Sequence, residues 1–122
     1  MSAAGACLMV GAKALTLVAA SFTLGWTHSV EKTGWEESWQ VVPGGLHLTQ
    51  AKVQGSGAGM DPGEDARLVD GWWVWVPKLP PVPELILGAS GATVSGWTLC
   101  SGGKCRVIGA VAGPPIHIRP CG

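Results

Sequence analysis

The sequence predicts an all-β protein, a small antiparallel sandwich or partly open barrel of seven to eight short strands. Nineteen glycines and nine prolines among 122 residues interrupt the chain too often for long helices. Short runs of alternating apolar and polar residues recur between turn signals, which is the pattern of strands buried on one face. Seven tryptophans supply large apolar rings for such a core, and we expect most of them to be buried; the alternative is an aromatic surface that binds a ligand.

The charge balance restricts the partners that the protein can have. Eight basic side chains match eight acidic ones, and charged residues make up only 13% of the chain. A chain without cationic excess lacks the electrostatic footprint of nucleic-acid or anionic membrane binding, so we expect neither partner. Because so few charges must keep the surface soluble, we expect the protein to work beside another molecule.

The N-terminal segment is apolar but differs from a secretion signal. No Lys or Arg precedes the first apolar run, and Lys13 lies inside the segment instead of at its start. The apolar stretch of residues 14–26 has 13 residues, which is too short to span a bilayer as a helix. We therefore expect no integral membrane span, and a degenerate secretion signal is the alternative to a structured segment.

Alternation defines the strands along the rest of the chain. Leu24 and Trp26 alternate with Thr23, Gly25 and Thr27, which is the period of a strand. Strands are expected, in chain order, over residues 7–10 and 15–30 with a break near residue 11, and over 35–41, 46–53, 72–76, 84–87, 93–100 and 105–111.

Two segments lack this alternation. Residues 54–71 form the longest irregular stretch, and a loop of that length in a compact domain is usually functional or mobile. The C-terminal residues contain two adjacent prolines and little periodicity. We expect a single β-domain over residues 1–112, followed by an irregular tail over residues 113–122.

Three sequence runs resemble a known bacterial family: FTLGWTHSVEKTGWEESW (22–39), GSGAGM (55–60) and DGWWVW (70–75). They are similar to the family catalogued as domain of unknown function 1850, and the resemblance extends over about residues 7–106. Members of that family are often encoded beside tripartite solute transporters driven by ion gradients. The resemblance implies an accessory role in solute uptake outside the cytoplasmic membrane, with a transporter subunit or a small solute as partner.

A histidine and a carboxylate follow the apolar phase of two neighbouring strands. His28 keeps the phase of Trp26, and Glu37 keeps that of Trp35. If Val30 pairs with Trp35 across a four-residue loop, His28 and Glu37 lie directly opposite each other. Such a pair can be a structural ion pair, a ligand-binding pair or a proton-transfer catalyst.

The turn type decides that pairing. A two-residue turn at Thr33 and Gly34 would place His28 opposite Trp39 instead.

No serine or cysteine is placed by a motif to complete a nucleophilic triad. We therefore expect a protein that is not an enzyme and that needs no cofactor, with a small hydrolase as the least favoured alternative.

The expected ligand site lies at the open end of the sheet. It combines polar side chains of the first hairpin with a glycine-rich loop that closes over them. Its residues are His28, Glu31, Glu37, Gly57, Gly59 and Met60. A phosphate-binding reading of the glycine-rich loop is weaker, because the loop lacks the lysine of that motif.

Four cysteines allow two disulfides or a metal site. A two-residue turn at residues 102–103 would bring Cys100 and Cys105 within disulfide range, and Cys7 and Cys121 could join the chain ends. Such bridges favour a periplasmic or otherwise extracytoplasmic location. The alternatives are unpaired thiols, or a structural zinc site formed by Cys100, Cys105, His117 and Cys121.

Overall fold

A computed structural model describes residues 6–17, 19–27, 34–54, 65–89, 96–109 and 113–121. The all-β prediction is confirmed, because these residues form two antiparallel sheets in a sandwich-like arrangement. The described part contains eleven strands, more than the seven or eight expected. In chain order they are β1 (Ala6–Val10), β2 (Lys13–Leu17), β3 (Ser21–Thr27), β4 (Gly34–Val42), β5 (Gly45–Gln54), β6 (Arg67–Val69), β7 (Trp72–Trp75), β8 (Leu85–Ala89), β9 (Trp97–Ser101), β10 (Lys104–Ile108) and β11 (Gly113–Pro120).

The two sheets differ in size. The smaller sheet has the order β2-β1-β11-β8, and the larger has the order β10-β9-β3-β4-β5-β7-β6. Because the larger sheet has seven strands and the smaller has four, the smaller sheet can cover only part of one face of the larger.

One apolar cluster fills the space between the sheets. Along each strand, the members of this cluster alternate with residues that point away from it, as expected for strands with one buried face. Its buried members are Leu8, Leu17, Leu87 and Ile118 from the smaller sheet and Phe22, Leu24, Trp39, Leu46 and Leu99 from the larger. No helix long and apolar enough to cross a membrane occurs in the described residues.

The expected break near Gly11 is confirmed, since this glycine has a φ of +62° in the turn between β1 and β2. Residues 15–30, expected as one strand, instead contain the end of β2 and the whole of β3. The N-terminal strand is part of the core, because Leu8 has no exposed surface.

The expected irregular tail is wrong. Residues Gly113–Pro120 form β11, which lies between β1 and β8 in the smaller sheet. The two prolines that suggested a tail occupy the register shift between Gly113 and Ile116, where the ladder does not require their missing N–H groups.

Strand β6 lies inside the stretch that was expected to be irregular. It pairs with β7 through a turn in which Asp70 and Gly71 have φ values of +51° and +85°. Positive φ at both central residues is typical of the tight hairpin turn that Asp-Gly favours. The dipeptide was therefore the available signal for this hairpin.

The segment that leads into β8 pairs with the start of β5. Leu46 and Val82 exchange backbone hydrogen bonds of 2.7 and 2.8 Å. A Cβ atom on Gly45 would lie 2.6 Å from the carbonyl oxygen of Val82, so only glycine allows this approach.

The disulfide between Cys100 and Cys105 is confirmed. The two residues lie directly opposite each other in β9 and β10, and their Cα atoms are 4.0 Å apart. The second disulfide joins Cys7 to Cys121, with Cα atoms 5.3 Å apart, and the Cys121 N–H donates to the Cys7 carbonyl at 3.1 Å. This bridge ties the residue after β11 to β1.

Removing the terminal bridge is expected to destabilise the protein more than removing the hairpin bridge. The bridges span 114 and 5 residues, and loop-closure entropy then gives losses of about 5 and about 2 kcal/mol. Urea unfolding of the Cys7→Ser/Cys121→Ser and Cys100→Ser/Cys105→Ser variants measures this difference. Equal losses, or the reverse order, would contradict the assignment of β1 and β11 to the structural core.

Candidate functional site

Four tryptophans form a continuous row on the inner face of the larger sheet. Trp26 stacks on Trp35 with ring centroids 5.5 Å apart and an interplanar angle of 7°. The ring centroids of Trp97 and Trp26 are 4.6 Å apart. Trp35 and Trp75 pack edge to face, with ring centroids 6.5 Å apart. These rings, Trp97, Trp26, Trp35 and Trp75, are called the tryptophan row below.

Strand register places the rings together. Trp26 lies directly opposite Trp35 in the β3–β4 ladder, on the same face as the buried Leu24. Trp75 lies opposite the buried Ala51 in the β5–β7 ladder, so it faces the same side. Side chains two residues apart along a strand share a face, and the row therefore continues the core beyond the smaller sheet.

The row is partly exposed, in contrast to the expectation that most tryptophans are buried. Trp39 is the exception, with 7% of its surface exposed. The four members of the row have intermediate exposure, as do Trp72 and Trp73. The aromatic surface is thus half in the core and half accessible to another molecule.

One end of the row is fixed to the smaller sheet. The indole N–H of Trp97 donates a hydrogen bond of 2.9 Å to the carbonyl oxygen of Gly88 in β8. This bond satisfies the polar atom of the ring and links the two sheets beside the row. Trp97 therefore has a fixed position against which Trp26 packs.

Glu37 is the acidic residue of this surface. It lies opposite Leu24 in β3 and Ala51 in β5, both of which are buried. Its Oε1 atom accepts a hydrogen bond of 3.2 Å from the indole N–H of Trp39. Burial raises the pKa of the Glu37 carboxyl above its ordinary value, while the hydrogen bond from Trp39 opposes part of that rise.

The expected pairing of His28 with Glu37 is wrong. The β3–β4 ladder places Thr27 opposite Gly34 and Leu24 opposite Glu37, a shift of four residues from the expected register. The observed ladder is centred two residues earlier in the chain than the loop of residues 31–34 assumed from the sequence. Register in a hairpin depends on the turn, and the alternating pattern alone does not fix it.

The other expected site residues fall outside the described part of the chain. They are His28, Glu31, Gly57, Gly59 and Met60. The described residues next to them are Thr27 and Gly34 at one loop and Gln54 at the other. The backbone N–H of Gly34 donates to the Gln54 side chain at 3.3 Å, so both strand ends lie at the same end of the sheet as the row.

The sequence interpretation missed the row itself. The phase of Trp26 and Trp35 was correct, but the role of Trp75 and Trp97 depends on which strands are neighbours in space. The alternation of Trp73 and Trp75 was the available signal for an inward aromatic pair.

The alternative zinc site is wrong. Cys100, Cys105 and Cys121 are engaged in disulfides, which removes the thiolates that zinc requires. His117 Nδ1 instead lies 3.3 Å from the Glu84 carboxylate. Within the described ranges, no group of three or more His, Cys, Asp and Glu side chains is placed to hold a metal ion.

Replacing Glu37 by glutamine is expected to stabilise the protein at neutral pH and to have little effect in acid. Folding raises the pKa of the Glu37 carboxyl. The contribution of this group to stability is therefore fully present below its unfolded pKa of about 4.3, and it is lost as the pH rises through its folded pKa. Glutamine keeps an acceptor for Trp39 and cannot ionise. The urea midpoint of Glu37→Gln should therefore rise relative to that of the native protein as the pH increases.

Glu36→Gln provides the matched control, because Glu36 lies on the opposite face and pairs with Lys52 at 3.5 Å. Loss of this surface pair should leave the stability unchanged or lower it slightly. If the advantage of Glu37→Gln does not grow with pH, the carboxyl is not buried as described.

A protein family matches most of the chain. The family described as Domain of unknown function (DUF1850) matches residues 22–108, which include β4 to β10 and all of β3 except Ser21. Strands β1, β2 and β11 lie outside the match. No curated protein and no solved structure matches the chain. Since the family match covers more than half of the sequence, the chain belongs to the DUF1850 family.

Proposed function

We propose that this protein is a non-catalytic accessory protein that binds a small solute on the tryptophan row and acts with a tripartite solute transporter. The observation that carries the proposal is the partly exposed row beside the half-buried carboxylate of Glu37. Concave sites for small molecules usually combine aromatic surface with a few placed polar groups.

The chemistry of the row indicates what such a solute would contain. Indole faces favour apolar groups and cations, which they attract through the ring quadrupole. The Glu37 carboxyl adds an acceptor at the base of the surface, where burial strengthens each hydrogen bond. The favoured solute therefore has an apolar or cationic body and a hydrogen-bond donor.

Two features support binding without catalysis. The hydrogen-bond partner of Glu37 is an indole N–H, which is not a nucleophile that the carboxylate could activate. All four cysteines are in disulfides, which removes them as nucleophiles. A hydrolase would need a nucleophile near His28, and that residue lies outside the described part.

The location and the transporter link rest on different arguments. Two disulfides are compatible with an oxidising compartment, so we place the protein in the periplasm. The link to a tripartite transporter rests on the resemblance to a family whose members are often encoded beside such transporters. A membrane subunit of that transporter is then the expected macromolecular partner.

Binding is tested by native mass spectrometry of the protein purified from the periplasm without denaturation. We expect one solute per chain in the native protein and its loss in Trp26→Leu/Trp35→Leu, because these rings form the centre of the row. Trp72→Leu is the matched control, since Trp72 packs on the other face against Lys52, with 4.7 Å between Nζ and the ring centroid. Circular dichroism confirms that each variant is folded.

The same proteins are then titrated with the low-molecular-mass fraction of periplasm, with tryptophan fluorescence as the readout. The proposal predicts a saturable change in the native protein and in Trp72→Leu only. A native protein that carries no added mass and shows no fluorescence change would overturn it. Equal binding by all three proteins would place the site elsewhere.

A further inference from the structure

The charges of this neutral protein are segregated along the chain. All eight acidic residues lie between Glu31 and Glu84. Residues 1–30 and 85–122 carry no Asp or Glu, and they contain four cationic residues: Lys13, Lys104, Arg106 and Arg119. Any surface that the fold builds from these two segments is therefore positively charged.

The fold brings the two segments together along one open side of the sandwich. Edge strand β2 of the smaller sheet and edge strand β10 of the larger sheet line a cleft of about 390 Å³. Its lining includes apolar Val10, Leu15, Ile108 and Ile116 and the cationic Lys13 and Arg106. This space is called the β2–β10 cleft.

A smaller cavity of about 80 Å³ adjoins the cleft. Leu15 and Arg106 line both spaces, and Lys104 lines the smaller one. Three of the four cations of the acid-free segments thus line these two neighbouring spaces, each with an exposed side chain. The larger volume falls in the range of about 300–1,000 Å³ that is typical of small-molecule sites.

Strand register shows that the cations occupy inward positions. Lys13 lies opposite Val10, in phase with the pair formed by Leu15 and the buried Leu8. Arg106 lies opposite the buried Leu99. Both side chains therefore start from the faces that the sheets turn toward each other.

These cations lack carboxylate partners in the described part of the chain. The ion pairs found there engage Lys52, Lys78 and His117. An inward charge on an edge strand also hinders edge-to-edge association of sheets. Preventing edge-to-edge association needs only one charge on each edge strand. It does not require that several cations lie around an apolar cavity.

We propose that the β2–β10 cleft binds an amphipathic organic anion. An aliphatic chain would lie against Val10, Leu15, Ile108 and Ile116, where it loses contact with water. The anionic head group would be held by Arg106, with Lys13 and Lys104 on either side. This site goes beyond the proposed function, because the row residues Trp26, Trp35 and Trp75 do not line the cleft.

Decanoate is the probe, and isothermal titration calorimetry below its micellar concentration is the measurement. We expect saturable binding of one decanoate per chain, and weaker binding of octanoate by about fourfold for each methylene lost from contact. In Trp26→Leu/Trp35→Leu, which lacks the indole rings that attract a cation, we expect no binding of decyltrimethylammonium. Ile108 lies directly opposite Trp97, so a change in tryptophan fluorescence provides a second readout.

Arg106→Gln and Lys13→Gln should each weaken decanoate binding, the former by about tenfold, because a charge-assisted hydrogen bond is lost. Arg119→Gln is the matched control. Arg119 follows the buried Ile118 in β11 and lies opposite Met9, so it faces away from the cleft, although it is as exposed as the cleft cations. If one cleft variant fails to fold by circular dichroism, the other carries the test.

Three results would overturn the proposal. Absence of decanoate binding removes the site, and equal binding of decyltrimethylammonium in Trp26→Leu/Trp35→Leu removes the role of the head group. A loss in Arg119→Gln as large as that in Arg106→Gln would indicate long-range attraction instead of a built site. Unchanged decanoate binding in Trp26→Leu/Trp35→Leu would show that the cleft acts independently of the tryptophan row.

Discussion

The register between β3 and β4 is the constraint on which the rest of the structure depends. It places Trp26 against Trp35 and Glu37 against Leu24. A shift by one residue would exchange the inner and outer faces of a central strand and expose its core residues to water. Burial of Phe22 and Leu24, which are 2% and 0% exposed, therefore selects this pairing over its one-residue neighbours.

The unequal size of the sheets explains where the accessible surfaces occur. Seven strands cannot be covered by four, so the inner face of the larger sheet continues past the core. At the end of its strands, the inner face of the larger sheet carries the tryptophan row. Along the side, the edge strands β2 and β10 of the two sheets line the cleft, which carries cationic residues on an apolar floor. The sandwich thus has two accessible surfaces of different chemistry.

Local pattern was enough to predict much of the fold. Alternation identified β4 and β5 closely, and the two-residue turn between Cys100 and Cys105 predicted their disulfide. Turn geometry was decisive there, because Gly102 and Gly103 adopt the positive φ values of +59° and +85° that such a turn requires. Where the sequence contains the whole of a turn signal, register follows from it.

Features that depend on distant segments were not predictable in this way. The residues between Trp26 and Trp35 allow more than one turn, so Glu37 was assigned the wrong partner. The prolines that suggested a tail lie at an irregular point of β11, and no local pattern shows that this strand pairs with β1. The tryptophan row likewise needs the order of strands in space, which alternation does not contain.

The most direct test of this account is the cross-strand pattern of nuclear Overhauser effects in isotopically labelled protein. The account predicts backbone contacts between Leu24 and Glu37, together with ring contacts between Trp26 and Trp35. Backbone contacts that place Glu37 opposite residue 28 would contradict it, because Trp26 would then lie opposite Trp39 and could not stack on Trp35.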